Sequence, residues 1–202
     1  MIRSDDRRRT LATVSDPRVD ATRARLIDAI TTAAEEENDA ISVTAICRAA
    51  SVGRSTFYTH FATVEEVALA AIEGAFASPA PGIVTQRTAH DDSAEAVTRN
   101  GFAAVVDNLD RSRALVQFMI RSGSRAAMQD WLTDRVADVV EPILRAARPE
   151  TTPDELRTLS LWMAAGTVRV AIDWVETSRV SADELIEHMM LTQPEWIIHP
   201  VH

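Results

Sequence analysis

Six side chains that can donate hydrogen bonds occur within seven consecutive residues of this 202-residue chain. They are Arg54, Ser55, Thr56, Tyr58, Thr59 and His60. The surrounding window, Ala40 to Val64, also contains Arg48 but has no aspartate or glutamate. A surface that offers donors without carboxylates can approach a polyanion, because no negative charge on it repels phosphate. These residues therefore indicate hydrogen bonding to a nucleic acid.

Three helical segments are predicted around these side chains. Apolar residues at spacings of three and four from Ala21 onward predict a support helix. Ser42 is a preferred N-cap residue, and the helix that it begins ends near Ala50. Residues 51–53 make a tight connection to a third helix over residues 54–61. This order of helices and turn is that of a helix-turn-helix.

The predicted third helix has two different sides. Phe57 and Phe61 are four residues apart, so both lie on one side and can pack against the first two helices. The six donors occupy the opposite surface. A short helix with this surface can enter the major groove of DNA.

The rest of the chain is also predicted to be helical. Only 6 glycines and 8 prolines interrupt it, and no stretch shows the alternation of a strand. Three S/T-x-x-E sequences fit the capping box: Thr63 with Glu66, Thr152 with Glu155 and Ser181 with Glu184. After residue 63, helices are predicted over 64–77, 93–109, 113–121, 124–147, 153–177 and 181–194, the last ended by Pro194. The predicted fold class is all-α, with about nine helices.

Composition excludes several classes of protein. One cysteine excludes an internal disulfide framework and a multi-cysteine metal site. No apolar run reaches the roughly 20 residues of a membrane span, and the N-terminus is not a secretory signal. We therefore expect a cytoplasmic protein with no membrane contact. The formal net charge is −9, all of it in residues 65–202, so a nucleic acid is expected to contact the first part of the chain.

The residues that could suggest catalysis or metal binding have simpler interpretations. Cys47 lies on the inner face of the second helix and is interpreted as a buried apolar residue. His199 and His202 are interpreted as solvated tail residues rather than metal ligands. The sequence has no nucleophile–base pair, metal cluster or phosphate loop, so we expect neither an enzyme nor a cofactor.

Residues 23–76 resemble the DNA-binding domain of the TetR family of bacterial transcriptional regulators. The run from Ser42 to Phe61 carries the resemblance, with its Thr-Phe-Tyr-x-His-Phe core and the Glu-rich helix start that follows. Ala165-Gly166 with Trp174, and then the run from Ser181 to Leu185, resemble the last two helices of that family, which form its dimer. Ser51 stands where the family prefers glycine, and Val64 where a lysine usually meets phosphate.

The resemblance implies a domain organisation and a role for each donor. It implies a helix-turn-helix domain over 21–62, a connecting helix over 63–77 and a ligand-sensing and dimerisation domain over 83–202. Residues 1–20 have no sustained periodicity, which predicts a flexible arm that is basic at Arg7, Arg8 and Arg9. Base contacts are implied for Arg54, Ser55, Tyr58 and Thr59. Phosphate contacts are implied for Thr44, Thr56, Tyr58 and His60.

The helix from Pro153 has two apolar stripes, so it needs burial on two sides. We expect one stripe to face the protein's own core and the other to face a second copy of the chain. The predicted dimer interface consists of Leu161, Val168, Ile172, Val175, Leu185, Ile186 and Met189. The alternative is a central core helix in a monomer.

Aromatic and methionine side chains of the C-terminal region are candidates for an effector cavity, although such residues are more often plain core. The candidates are Phe102, Phe118, Met119, Met128, Trp131, Trp162 and Met163.

The predicted function is that of a homodimeric repressor that binds a palindromic double-stranded DNA operator. A small-molecule effector, which the sequence does not identify, is expected to release it. The alternative is a helical homodimer that acts through protein partners and whose helix-turn-helix no longer binds DNA. The acidic bulk and Val64 favour that alternative.

Overall fold

A computed structural model of the chain describes residues 17–36, 41–77 and 93–198. Every element within these ranges is an α-helix, which confirms the all-α prediction. The ten helices are α1 (Pro17–Glu35), α2 (Val43–Ala49), α3 (Arg54–His60), α4 (Val64–Ala77), α5 (Ala94–Arg111), α6 (Arg113–Arg121), α7 (Arg125–Ala147), α8 (Pro153–Thr177), α9 (Ala182–Met190) and α10 (Glu195–Ile198).

The chain divides into two compact units, Met1–Ala68 and Leu69–His202, and the division falls within α4. The predicted arm over residues 1–20 is wrong at its end, because α1 already begins at Pro17. Arg7, Arg8 and Arg9, and the tail histidines His199 and His202, lie outside the described residues.

The first unit builds its core from one side of each of its short helices. Leu26 and Ile30 of α1, Ile46 of α2 and Phe57 of α3 are all buried. α2 packs against both α1 and α3. Because the inner side of each helix is occupied in this way, the polar residues of α3 are left on its outer side.

Side-chain caps fix several helix starts where the sequence predicts them. The Ser42 hydroxyl accepts from the backbone N–H of Ala45, and full capping boxes begin α8 at Thr152 and α9 at Ser181. The prediction that Pro194 ends the last helix is wrong. α9 ends at Met190, and Pro194 precedes the short helix α10, where its carbonyl accepts the first helical bond from Ile197 at 2.9 Å.

α7 and α8 are antiparallel neighbours in the second unit. Arg125 at the start of α7 pairs with Glu176 near the end of α8 at 2.7 Å, and Leu144 packs with Leu156 at the opposite ends. Val168, Ile172 and Val175 of α8 are fully buried in the same unit. The core of the second unit is therefore built on one side of α8.

The two capping carboxylates make stability depend on pH. Hydrogen bonds from the backbone N–H and hydroxyl of Thr152 lower the pKa of Glu155 below its ordinary value of 4.5, and Ser181 does the same to the pKa of Glu184. A carboxyl whose pKa is lowered by folding stabilises the native state above its unfolded pKa. That contribution is lost as the pH falls below 4.5 towards the lowered value.

We therefore expect the urea midpoint of the double variant Glu155→Gln/Glu184→Gln to depend less on pH below 4.5 than that of the wild type. Glutamine keeps a capping group but cannot titrate. Glu35→Gln, which removes an exposed carboxylate outside both boxes, is the control. Identical pH profiles for the wild type and the double variant would show that the boxes are not coupled to protonation.

Candidate nucleic-acid interface

The helix α3 is anchored by two phenylalanines. Phe57 is fully buried and Phe61, at the C-terminal end of the helix, is 5% exposed, with 6.3 Å between the ring centroids. Gly53 begins the helix without a side-chain cap, and its carbonyl accepts from the N–H of Phe57 at 2.9 Å. Burial of this one side fixes which residues of α3 face solvent.

The predicted contact residues lie on the surface of the first unit. On α3, five of the six donors are exposed and His60 is half-buried. Tyr58 is 53% exposed, although its ring meets the ring of Phe57 edge-on at 5.4 Å. Thr44 is exposed on α2. The fold thus brings the α3 residues onto one solvent-facing surface, while their contacts with DNA stay a prediction.

One of the donors has a partner within its own helix. The Thr59 hydroxyl donates to the carbonyl of Ser55 at 3.1 Å. Its oxygen can still accept, and its methyl group can still contact a thymine methyl. Thr59 is therefore better suited to accepting or apolar contacts than to the donor role that its residue type suggests.

Charge around α3 is as the sequence predicts. Arg48 and Arg54 are exposed, and residues 41–64 contain no acid. Cys47 is buried, which agrees with its interpretation as a core residue. Burial raises the pKa of its thiol, and the charge of Arg54 opposes that shift in part. The thiol is therefore neutral at physiological pH and does not offset the positive charge of Arg54.

The turn between α2 and α3 places a serine in the left-handed region. Ser51 has φ of 52°, and the neighbouring N–H of Val52 donates to the carbonyl of Cys47 at 2.9 Å. This conformation ends α2 and turns the chain towards α3. A side chain with a Cβ adopts it at a cost that glycine does not have.

We expect Ser51→Gly to raise the free energy of unfolding by about 0.5–1 kcal/mol, because relief of the left-handed strain exceeds the entropy that glycine adds to the unfolded chain. Denaturant unfolding measures it. Ser178→Gly is the matched control, because Ser178 also has a positive φ (47°) but its hydroxyl accepts from Arg113 at 3.0 Å. Its gain should be smaller. A destabilised Ser51→Gly would refute the strain argument.

Val64, the first residue of α4, does not lie on the outer surface of the first unit. It is 9% exposed, so its side chain belongs to the core rather than to an outward surface. In this chain the residue at the position of the family's phosphate-contacting lysine is therefore packed inside. An apolar residue at position 64 stabilises the packing of α4 instead.

The predicted dimer interface needs a correction. Val168, Ile172 and Val175 are fully buried within the chain, and Leu185 and Met189 are 4% and 5% exposed. Side chains that are already enclosed offer no surface to a partner. The stripe that was expected to meet a second copy therefore faces the chain's own core for most of its length.

Leu161 and Ile186, the other two predicted interface residues, are half-buried. The outward side of α8 carries a different apolar surface. Trp162 is 66% exposed and Val170 is 46% exposed, with the exposed Gly166 between them. A Cβ added at Gly166 would meet nothing within 4 Å, so packing inside the chain does not require a glycine there.

A further exposed apolar side chain lies on the neighbouring helix α7. Val139 of α7 is 45% exposed, and the antiparallel register of α7 and α8 brings it to the level of Trp162. We call Val139, Trp162, Gly166 and Val170 the outer α8 face.

The effector candidates divide between core and surface. Phe102, Phe118, Met119 and Met128 are buried, Trp131 and Met163 are half-buried, and Trp162 is exposed. The predicted role of Trp162 in an internal cavity is therefore wrong. The ring of Trp131 meets that of Phe76 edge-on at 6.0 Å.

Two grooves open on the surface of the described residues. One, of about 730 Å³, lies between α1 and α2 over Ala29, Ala33 and Ala49. The other, of about 570 Å³, lies beside the start of α8 near Arg148 and Leu159. No effector candidate lines either groove.

Within residues 17–36, 41–77 and 93–198, no three His, Cys, Asp or Glu side chains are grouped so that they could hold a metal ion. None of the helices in those ranges is both long and apolar enough to cross a membrane.

This chain is similar to known proteins in its structure but not in its sequence. The sequence matches no protein-family profile and no curated protein. A protein from Syntrophomonas wolfei that is named as a TetR-family transcriptional regulator superposes with a TM-score of 0.65 over 89% of this chain and 96% of its own, at 14% identity. The chain has the TetR fold.

Other solved structures are similar to this chain over comparable lengths. The TetR family repressor AlkX from Dietzia sp. gives a TM-score of 0.59 at 17% identity, covering 89% of this chain and 98% of its own. The dihydroxyacetone kinase operon activator DhaS gives 0.57 at 16% identity, covering 85% and 95%. The structures that are similar to this chain thus include both a repressor and an activator.

One residue that contacts the candidate interface helix from behind has no signal in the sequence. Arg23 of α1 contacts the C-terminal end of α3, 37 residues away along the chain. Its spacing fits a solvent-facing position of an amphipathic helix, so periodicity alone could not single it out.

Proposed function

We propose that the protein is a TetR-family transcriptional repressor that binds a palindromic DNA operator in the cytoplasm as a homodimer. The observation that carries the proposal is the surface of α3. It combines exposed Arg54, Ser55 and Tyr58 with buried Phe57 and Phe61, and no carboxylate lies in residues 41–64. Rigid placement of side chains that can bond to base edges is what reading DNA in the major groove requires.

The distribution of charge supports contact through the first unit. The whole formal charge of −9 lies in residues 65–202, so that part of the chain repels DNA. Arg54 lies at the start of α3, from which a guanidinium can bond to a guanine edge with two hydrogen bonds. Thr44, Thr56 and His60 are assigned to phosphates, which position the helix without reading sequence.

The dimer is proposed to form through the outer α8 face. Its exposed indole and valines are separated by a glycine that lets a second helix approach closely. A two-fold axis through such a face presents the same surface from both copies. Two copies of α3 would then read the two halves of a palindrome.

The effector is proposed to bind in the second unit, where Phe102, Phe118, Met119 and Met128 are buried. Methionine side chains repack readily around a ligand. To release DNA, the effector must bind the DNA-incompetent state more tightly, because equal affinity for both states shifts nothing. We propose that the bound protein represses transcription rather than activates it.

Binding to DNA can be tested by gel shift with two duplexes of equal length. One carries the sequence upstream of the protein's own gene and the other carries the same bases scrambled. We expect the upstream duplex to bind more tightly, and binding to both to weaken steeply as salt is raised. No shift of either duplex at low salt would contradict the proposal.

The acidic second unit favours one other function, a homodimeric protein-interaction module whose helix-turn-helix does not bind DNA. That function predicts a dimer by light scattering with no gel shift at any salt concentration. It also predicts that the variant Arg54→Ala leaves the behaviour of the protein unchanged.

A further inference from the structure

Arg23 joins the first helix to the end of the recognition helix α3. Its guanidinium carbon lies 4.4 Å from the centroid of the Phe61 ring, which is a cation–π distance. Its Nη1 donates to the backbone carbonyl of His60 at 3.5 Å. That hydrogen bond is long, so the stacking on Phe61 is the stronger of the two contacts.

Both contacts fall at the C-terminal end of α3. The helix has seven residues, shorter than a helix that is stable alone, and its last carbonyls have no partner within it. Phe61 is the C-cap residue, and its N–H donates to the carbonyl of Phe57 at 2.9 Å. A cation at this end also interacts favourably with the helix dipole.

We propose that Arg23 is a positioning residue for DNA reading: it holds the C-terminal turn of α3 against α1 and so fixes the direction in which Tyr58 and Thr59 project. The inference rests on the proposed function. Arg23 itself is half-buried and is assigned no contact with DNA.

A residue that positions the helix and a residue that binds phosphate give different results when they are replaced. Loss of a phosphate contact lowers affinity equally on all DNA and reduces the salt slope by about 0.9 per contact. Loss of positioning lowers affinity for the specific site and leaves the salt slope unchanged. Lysine replaces the charge but not the planar guanidinium that stacks on a ring.

The first test is independent of DNA. Hydrogen exchange of the Phe61 amide should become about threefold faster in Arg23→Ala, because one cation–π contact that protects the last turn is lost. Arg25→Ala is the matched control, since Arg25 is an exposed arginine of the same helix whose guanidinium bonds to Thr22 at 3.4 Å. Equal exchange in the wild type and Arg23→Ala would overturn the proposal whether or not the protein binds DNA.

The second test uses a duplex enriched by the wild-type protein from a random library, with a scrambled duplex beside it. Arg23→Ala should bind the enriched duplex about tenfold more weakly, because each of two recognition helices loses one contact. Its affinity for the scrambled duplex and its salt slope should not change. Arg23→Lys should remain defective, and Arg25→Ala should bind like the wild type.

Outcomes of this second test separate the two proposals. An equal loss on both duplexes with a shallower salt slope, or full rescue by Arg23→Lys, would make Arg23 a phosphate contact and overturn the positioning role. Absence of DNA binding by the wild type would overturn the proposed function, while the exchange experiment would still decide whether Arg23 holds α3.

Discussion

Replacing Arg54 with alanine is expected to weaken operator binding by about 1–3 kcal/mol for each half-site, the value of one bidentate contact with a guanine. Arg54 is exposed at the first position of α3, and no carboxylate in residues 41–64 competes for its guanidinium. The preference for one base pair per half-site should relax in parallel. Competition gel shifts with operators changed at single base pairs measure both effects.

The control for this variant is Arg179→Ala, which removes an exposed arginine from the connection between α8 and α9. Both variants change the net charge by the same amount, so a difference between them reports position rather than charge. If Arg54→Ala loses the same affinity on random DNA as on the operator, Arg54 contacts phosphate and the assignment to a base is wrong.

Charged residues on the outer α8 face are expected to convert the dimer into monomers. Trp162 and Val170 are 66% and 46% exposed in the single chain, so aspartates there leave the core intact but cannot be buried against a second copy. Trp162→Asp/Val170→Asp should therefore keep the far-ultraviolet circular dichroism of the wild type. Light scattering should report half of the wild-type mass at micromolar concentration.

Two other variants make this result specific. Val19→Asp changes an apolar residue of α1 that is 41% exposed, and it should remain dimeric. Val168→Asp places a charge in the core and should lower the free energy of unfolding by more than about 3 kcal/mol. A wild-type protein that is already monomeric, or a dimeric Trp162→Asp/Val170→Asp, would contradict the assigned interface.

Features that depend on neighbours in the sequence were predicted correctly. The capping boxes at Thr152 and Ser181 need only residues three positions apart, and both form where they were expected. The inner side of α3 was predicted for the same reason, since Phe57 and Phe61 are separated by one helical turn.

Features that depend on packing between distant segments could not be predicted from the sequence. The periodicity of α8 shows two apolar stripes, but the position of α7 decides that Val168 and Ile172 face the core. Trp162 was expected inside because of its residue type, yet it lies on the surface. Arg23 and Phe61 are far apart in the sequence, so their contact is visible only in the folded chain.

Selection of binding sites from a library of random duplexes tests the central claim most directly, because the protein itself chooses its operator from all sequences present. We predict that the wild-type protein enriches a two-fold symmetric sequence with a guanine at one fixed position in each half-site. The same selection with Arg54→Ala should lose that guanine. A pool that remains random after repeated rounds with the wild-type protein would contradict sequence-specific recognition by α3.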